Sequence, residues 1–134
     1  MAREIVAVVP LSHTQTMSLL LQAAEALQHQ VVRFDADQGD AMILVDFTLR
    51  ALATFRVQAE AQVLSTDETR LRLIVRPAFR LTIFTGVGQS ERIGWELIGR
   101  MQQILNPTRY RELEDEVLPS RTQRVRRLAR PPMD

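Results

Sequence analysis

The residues of this chain that are able to do acid–base, nucleophilic or metal chemistry are few and widely separated. The 134 residues include no cysteine, which excludes thiolate catalysis and thiolate metal sites. All seventeen basic residues are arginine, which excludes lysine chemistry such as Schiff-base formation. His13 and His29 flank one predicted helix, about 24 Å apart along its axis, so they cannot share a metal ion or a proton. Ser12 and His13 have no identifiable acid partner. We therefore predict no catalytic residue.

Two further patterns resemble ligand sites but fit a structural role better. Asp35, Asp37 and Asp40 are spaced like calcium ligands. However, an EF-hand needs glycine at position 6 and glutamate at position 12, and this segment has Gly39 at position 5 and Asp46 at position 12. A hairpin turn with solvated carboxylates is the better interpretation. The glycines at 86, 88 and 94 do not form a dinucleotide-binding fingerprint. The sequence predicts no metal and no cofactor.

Hydrophobic periodicity predicts the elements that position these residues. A capping-box pair, Ser12 and Gln15, precedes a helix over 13–28, and Ser90 is the expected N-cap of a second helix that ends at Asn106-Pro107. Glycines inside that second helix, Gly94 among them, indicate a close approach of the helix backbone to the sheet or to a partner helix. The predicted strands cover 4–9, 31–35, 41–48, 54–64 and 70–76, with a further short strand near 79–83.

This order, β-α-β-β-β-β-(β)-α, predicts an α+β fold. We expect an antiparallel sheet of five or six strands with the long C-terminal helix packed on its apolar face. Residues 1–106 are predicted to form a single domain, and 107–134 a Pro/Arg-rich tail that is largely extended or mobile. The predicted core consists of Val6, Val8, Leu20, Leu27, Ile43, Val45, Phe55, Val57, Val63, Leu71, Leu73, Leu81, Ile93, Leu97 and Met101. Burial of Val57 and Leu73 is the test of this face assignment.

Between residue 3 and about 105, a strand ends at Pro10 and is followed by a helix with Met17-x-x-Leu20. This beginning resembles the opening of START-like and polyketide-cyclase-like domains. The stretch Leu27–Asp35, the Asp37-Gln38-Gly39 turn, and Asp67–Leu71 before a strand are similar to small bacterial helix-grip domains. The resemblance implies either an apolar-ligand cavity between the sheet and the long helix, or a collapsed version used for protein contacts. The chain departs from START-like domains by being short and by passing directly from the first helix to the second strand.

Two functional hypotheses follow. In the first, the chain is a non-enzymatic protein-interaction or assembly module that uses its sheet, Trp95 and the Arg-rich tail, with another protein or a second copy as partner. Trp95 lies about 165° from the centre of the apolar helical stripe, so it either covers the edge of the sheet or anchors a partner. In the second, the chain carries a small apolar ligand or lipid in a pocket lined by Phe47, Phe55, Phe79, Phe84 and Met101.

The polar face of the predicted meander carries Arg56, Arg70 and Arg72 with Gln58, Glu60 and Gln62. It is expected to be a solvated face or to meet another subunit. A nucleic-acid platform needs aromatic side chains for base stacking, and the chain has seven aromatic residues in all, so nucleic acid is disfavoured as a partner. No apolar stretch approaches the ~18 residues of a membrane span, and a cytoplasmic location is expected.

The tail has its own charge pattern. Residues 117–134 contain five arginines and one acid, a local charge of +4, against +1 for the whole chain. The tail is interpreted either as a solvated end or as a docking segment for an acidic surface, and the acidic run 112–116 is an alternative partner for its arginines. Deletion of 117–134 is expected to leave the fold unchanged. The arginines concerned are Arg121, Arg124, Arg126, Arg127 and Arg130.

Overall fold

The computed structural model describes residues 3–46, 54–77, 89–106 and 125–129. Phe47, Phe79, Leu81, Phe84, the predicted strand near 79–83 and the acidic run 112–116 lie outside these residues. The elements in chain order are β1 (Arg3–Val9), α1 (His13–Ala26), β2 (Gln30–Asp35), β3 (Asp40–Asp46), β4 (Thr54–Val63), β5 (Thr69–Pro77), α2 (Gln89–Leu105) and β6 (Val125–Arg127).

The strands form one sheet in the order β2-β3-β4-β5-β1-β6. The first five of these pair antiparallel, and β6 is added parallel to the outer edge of β1. The predicted α+β class, with an antiparallel sheet and a C-terminal helix, is therefore confirmed. Within the meander β2 to β5, turns at 36–39 and 64–68 join β2 to β3 and β4 to β5, and β1 pairs with the far side of β5.

Alternating side chains divide the sheet into two faces. The helix face carries the apolar set that packs against α1 and α2 in one core, and Val57 and Leu73 in this set are fully buried, as predicted. The open face points away from both helices and carries the alternate, mostly polar set. The helix-face residues are Ile5, Ala7, Val9, Ala41, Ile43, Val45, Phe55, Val57, Ala59, Leu71, Leu73 and Val75.

Local sequence signals set the ends of α1 and the first hairpin. The Ser12 hydroxyl accepts the Gln15 N–H at 3.3 Å while the Gln15 side chain accepts the Ser12 N–H at 3.2 Å, so the predicted capping box is present. Between β2 and β3, the Asp35 carboxylate accepts two backbone N–H groups of the turn. Gly39 has φ +69°, a left-handed conformation that favours glycine.

The second helix lies directly on the sheet. A Cβ built on Gly94 would stand 2.1 Å from Ile5 Cδ1 and 3.4 Å from Val75 Cγ2, which is the close approach that its glycine predicted. One detail differs from the prediction, because Ser90 lies inside the first turn of the helix and is buried instead of capping it. The buried side of the helix includes Ile98 and Gln102, whereas Ile104 is 37% exposed.

The predicted core needs two corrections. Val63 is 59% exposed because it stands at the end of the β4–β5 hairpin, past the core that the helices cover. Leu27 is partly buried at the core margin. Val6 and Val8 are buried, as predicted, but their side chains lie on the open face, since Ile5 and its alternate neighbours in the strand face the helices.

The C-terminal segment, defined here as residues 125–129, differs most from expectation. The sequence predicts a tail that supplies no core of its own and is largely extended or mobile. Val125–Arg127 is extended, but as a strand paired with β1, and Leu128 is only 3% exposed within the core cluster, neither of which the sequence predicted. The Leu128 N–H donates to the Val8 carbonyl at 2.8 Å. The segment is therefore part of the folded unit.

Candidate interaction surface

The open face presents ordered rows of mostly polar side chains in the described part of the chain. It is built from the outward-facing positions of β1, β3, β4 and β5, whose register sets the side chains in rows across the strands. One row runs Met42, Gln58, Ile74, Glu4, and the next runs Asp40, Glu60, Arg72, Val6. No described helix covers these rows.

An ion-pair network occupies the centre of the open face. Arg72 lies opposite Glu60 on β4 and donates to Glu4 Oε2 at 3.0 Å and to Glu60 Oε2 at 3.4 Å. The hydrogen bond and charge of Glu4, followed by the charge and hydrogen bond of Glu60, raise the pKa of Arg72 against the opposing effect of desolvation. All three side chains are nearly half exposed, so the network fixes their positions more than it adds stability.

A second feature of the open face is a pair of arginines that repel each other, in contrast to the attractive ion pairs of Arg72. Arg56 and Arg76 are direct cross-strand neighbours in the β4–β5 register, and both are exposed. Neither forms an ion pair among the described residues, whereas Arg33, Arg72 and Arg127 each do. Like charges that face each other across two strands are destabilising. This arginine pair therefore offers two uncompensated cationic groups at one point of the surface.

Apolar side chains lie beside these charges. Met42, Leu44 and Ile74 are half-buried on the open face, and Val6 and Val8 are buried there. Leu44 stands in the same row as the arginine pair, next to Arg56. The open face thus combines cationic groups with partly exposed aliphatic surface, which is a chemistry suited to a protein segment that carries carboxylates and apolar residues.

The predicted site residues are distributed over different parts of the molecule. Trp95 is half-buried and packs against the core cluster, which leaves its predicted partner role as a prediction. Phe55 and Met101 are fully buried in that cluster. Arg127 forms an ion pair with Glu68 on the β4–β5 turn. Arg126 stands at the β6 position in register with Ala7. The pocket residues Phe47, Phe79 and Phe84, with Arg121, Arg124 and Arg130, lie outside the described residues.

The residues with potential for chemistry have structural partners. The hydroxyl of Ser12 and the carboxylate of Asp35 both bind backbone N–H groups. His13 begins α1, and its ring lies close to Gly39, where a Cβ would stand 2.3 Å from Nε2. Within 3–46, 54–77, 89–106 and 125–129, no group of three His, Asp or Glu residues is arranged to hold a metal ion.

Sequence reasoning missed Arg76 and Gln102. Arg76 continues the polar alternation of Arg70 and Arg72, but its significance depends on the β4–β5 register that puts it opposite Arg56. Gln102 belongs to the buried stripe of α2 and is 2% exposed, and a glutamine there reads from sequence as a surface residue. Its amide binds the main chain of Ala129.

No protein-family model matches the chain, and a search of curated proteins finds no match either. Neither of the two described helices is long and apolar enough to cross a membrane.

Proposed function

We propose that this chain is a non-enzymatic protein-interaction module, and that it binds an acidic, partly apolar segment of another protein on the open face. The observation that carries the proposal is the arginine pair, Arg56 and Arg76. Two like charges held opposite each other cost stability in the free protein, and carboxylates from a partner would relieve that repulsion. Leu44 and Ile74 beside the pair supply apolar contact.

A helix-grip arrangement of the collapsed type is part of this proposal. Its support is the direct contact of α2 with the sheet, since the backbone at Gly94 reaches Ile5 and Val75 without room for a methyl group. Leu73, Leu97 and Met101 are fully buried in the core shared by α2 and the sheet. Close packing of this kind favours protein contact over the alternative, a carrier with an apolar ligand between helix and sheet.

A peptide-binding measurement tests the proposal. The probe is a fluorescein-labelled dodecapeptide of alternating glutamate and leucine, titrated with the full chain and followed by fluorescence anisotropy at low and physiological salt. We expect saturable binding that weakens with salt. A peptide with glutamine in place of glutamate is expected to bind much less, because it lacks the carboxylates.

Two matched variants locate the site. Arg76→Glu and Arg92→Glu each remove one exposed arginine, and Arg92 lies on α2, away from the open face. We expect Arg76→Glu to weaken binding about tenfold, or about 1.4 kcal/mol, and Arg92→Glu to leave it nearly unchanged. Equal losses for the two variants would contradict the proposal, because they would show a response to net charge alone. Tighter binding of a single-stranded oligonucleotide than of the acidic peptide would also contradict it.

A further inference from the structure

A second surface borders the open face at the outer edge of the sheet, on the β1 side. We call it the edge site: the β1 edge at Val8, Gln102 of α2 and Glu68 of the β4–β5 turn. Its occupant is the chain's own C-terminal segment. Each element of the edge site contacts a different residue of that segment, so the contacts define what the site recognises.

The main chain supplies the first part of the recognition. β6 pairs parallel with β1, and the Leu128 N–H donates to the Val8 carbonyl. The side-chain amide of Gln102 then binds both backbone groups of Ala129. Its Oε1 accepts the Ala129 N–H at 2.7 Å, and its Nε2 donates to the Ala129 carbonyl at 3.5 Å. The Gln102 side chain is buried, and both of its hydrogen-bond partners in the described part of the chain are on Ala129. Without the segment, a buried amide would lose these partners, which is costly.

The side chains supply the second part. Leu128 fills an apolar position in the core cluster, and Arg127 forms an exposed ion pair with Glu68. The edge site therefore recognises three consecutive residues: a cationic residue, an aliphatic residue, and a residue bound through its backbone. Addition of an extended segment to a strand edge, with one side-chain pocket, is a recurring mode of peptide recognition.

We propose that the edge site is a peptide-docking site, and that its partner in trans is the C-terminal segment of a second copy of this chain. None of the contacts requires the covalent connection to Asn106. Residues 106–124 provide 19 residues between α2 and β6, a length that spans at most about 65 Å when extended. Ala129 contacts Gln102 of the same chain, so this connection is long enough for the segment to dock in cis. The same connection that allows docking in cis therefore allows exchange between two chains.

Disulfide trapping tests this exchange cleanly because the chain contains no cysteine. Val8 and Arg127 are register partners on adjacent strands, a placement compatible with a disulfide. Two full-length variants are mixed under mild oxidation. The acceptor chain carries Val8→Cys together with Leu128→Asp, which releases the acceptor's own C-terminal segment. The second chain carries Arg127→Cys. The control replaces the second chain with Arg92→Cys, an exposed α2 position. Different affinity-tag lengths distinguish the heterodimer from either homodimer.

We expect the heterodimer to form about tenfold faster with Arg127→Cys than with the Arg92→Cys control, because docking raises the effective thiol concentration. Adding Gln102→Leu to the Val8→Cys chain is expected to remove most of that advantage. If Leu128→Asp prevents folding, Val8→Cys alone serves as the acceptor, with slower trapping because its own segment competes. Equal rates for Arg127→Cys and the control, with a folded acceptor, would overturn the proposal. This outcome is independent of acidic-peptide binding on the open face.

Discussion

The two faces of the sheet are formed by the same strands but differ in the burial and charge of their side chains. On the helix face, β4 and β5 contribute Val57 and Leu73, both fully buried against α1 and α2. On the open face, the neighbouring positions carry the ion-pair network around Arg72 and the repulsive pair Arg56 and Arg76. One face maximises burial, whereas the other retains a like-charge contact that folding alone does not require. This difference is why we place the interaction surface on the open face.

The largest expected effect comes from two adjacent residues on opposite faces. Leu73→Ala removes a fully buried side chain and is expected to lower the free energy of unfolding by about 2–5 kcal/mol. Ile74→Ala, one position along β5 on the open face, removes a half-buried side chain and is expected to cost about 1 kcal/mol. Urea denaturation of both variants measures the difference. Equal losses would mean that the open face is covered as completely as the helix face.

Much of this two-faced arrangement follows from the sequence. Strict alternation in β4 and β5 identifies the buried positions, and the Ser12–Gln15 capping box and the turn at Gly39 are local signals that the structure confirms. Where apolar and polar residues do not alternate, the sequence does not predict which side chains face the helices. The apolar run at 5–9 cannot distinguish one face from the other, and the prediction selected Val6 and Val8 where Ile5, Ala7 and Val9 pack against the helices.

The C-terminal segment shows a second reason for failure. β6 has three residues, and its pairing with β1 is a contact across more than a hundred residues of chain. Arg126 and Leu128 are two positions apart, where a strand with one buried side has residues of the same polarity. The sequence of the segment therefore lacks the apolar-polar alternation that predicts such a strand. Composition therefore predicted a solvated end or a docking segment for an acidic surface, and neither interpretation included pairing with β1. The sequence did not predict the arginine pair for a related reason, since only the β4–β5 register places Arg76 opposite Arg56.

The next prediction concerns this segment. Leu128→Ala is expected to lower the free energy of unfolding by about 2–3 kcal/mol, because it empties a core position at the sheet edge. Arg127→Ala, which removes an exposed ion pair, is expected to cost less than about 1 kcal/mol. Removal of 117–134 is consequently expected to destabilise the domain, in place of the neutral effect predicted from sequence. A truncated chain with an unchanged denaturation midpoint would contradict this account of β6.

A smaller effect is expected at the contact of α2 with the sheet. Gly94→Ala improves helix propensity by about 1 kcal/mol, but the added methyl collides with Ile5 Cδ1, and overpacking costs about 1–3 kcal/mol. We expect a net loss of about 1 kcal/mol. Ile5→Val removes Cδ1, so the double variant is expected to lose less than the sum of the single variants. A double-mutant cycle by denaturation measures this coupling, and strict additivity would argue against direct contact.

The smallest predicted change has the opposite sign. Arg76→Glu replaces a like-charge pair with an ion pair opposite Arg56, and it is expected to raise the free energy of unfolding by about 0.2–1 kcal/mol at low salt. Arg92→Glu provides the comparison at an exposed helical position. The variant that gains stability is the one expected to lose affinity for the acidic peptide, so stability and binding are opposed at this site. A loss of stability in Arg76→Glu would remove the physical basis of the proposed function.

Backbone amide chemical shifts of the labelled full chain, recorded during titration with the glutamate–leucine peptide, test the central claim most directly. We expect the largest changes in β4 and β5 around Arg56, Gln58 and Arg76, with smaller changes in β3 and little change in α1. Changes centred on Trp95 and α2, or no saturable change at all, would contradict the assignment of the open face as the protein-binding surface.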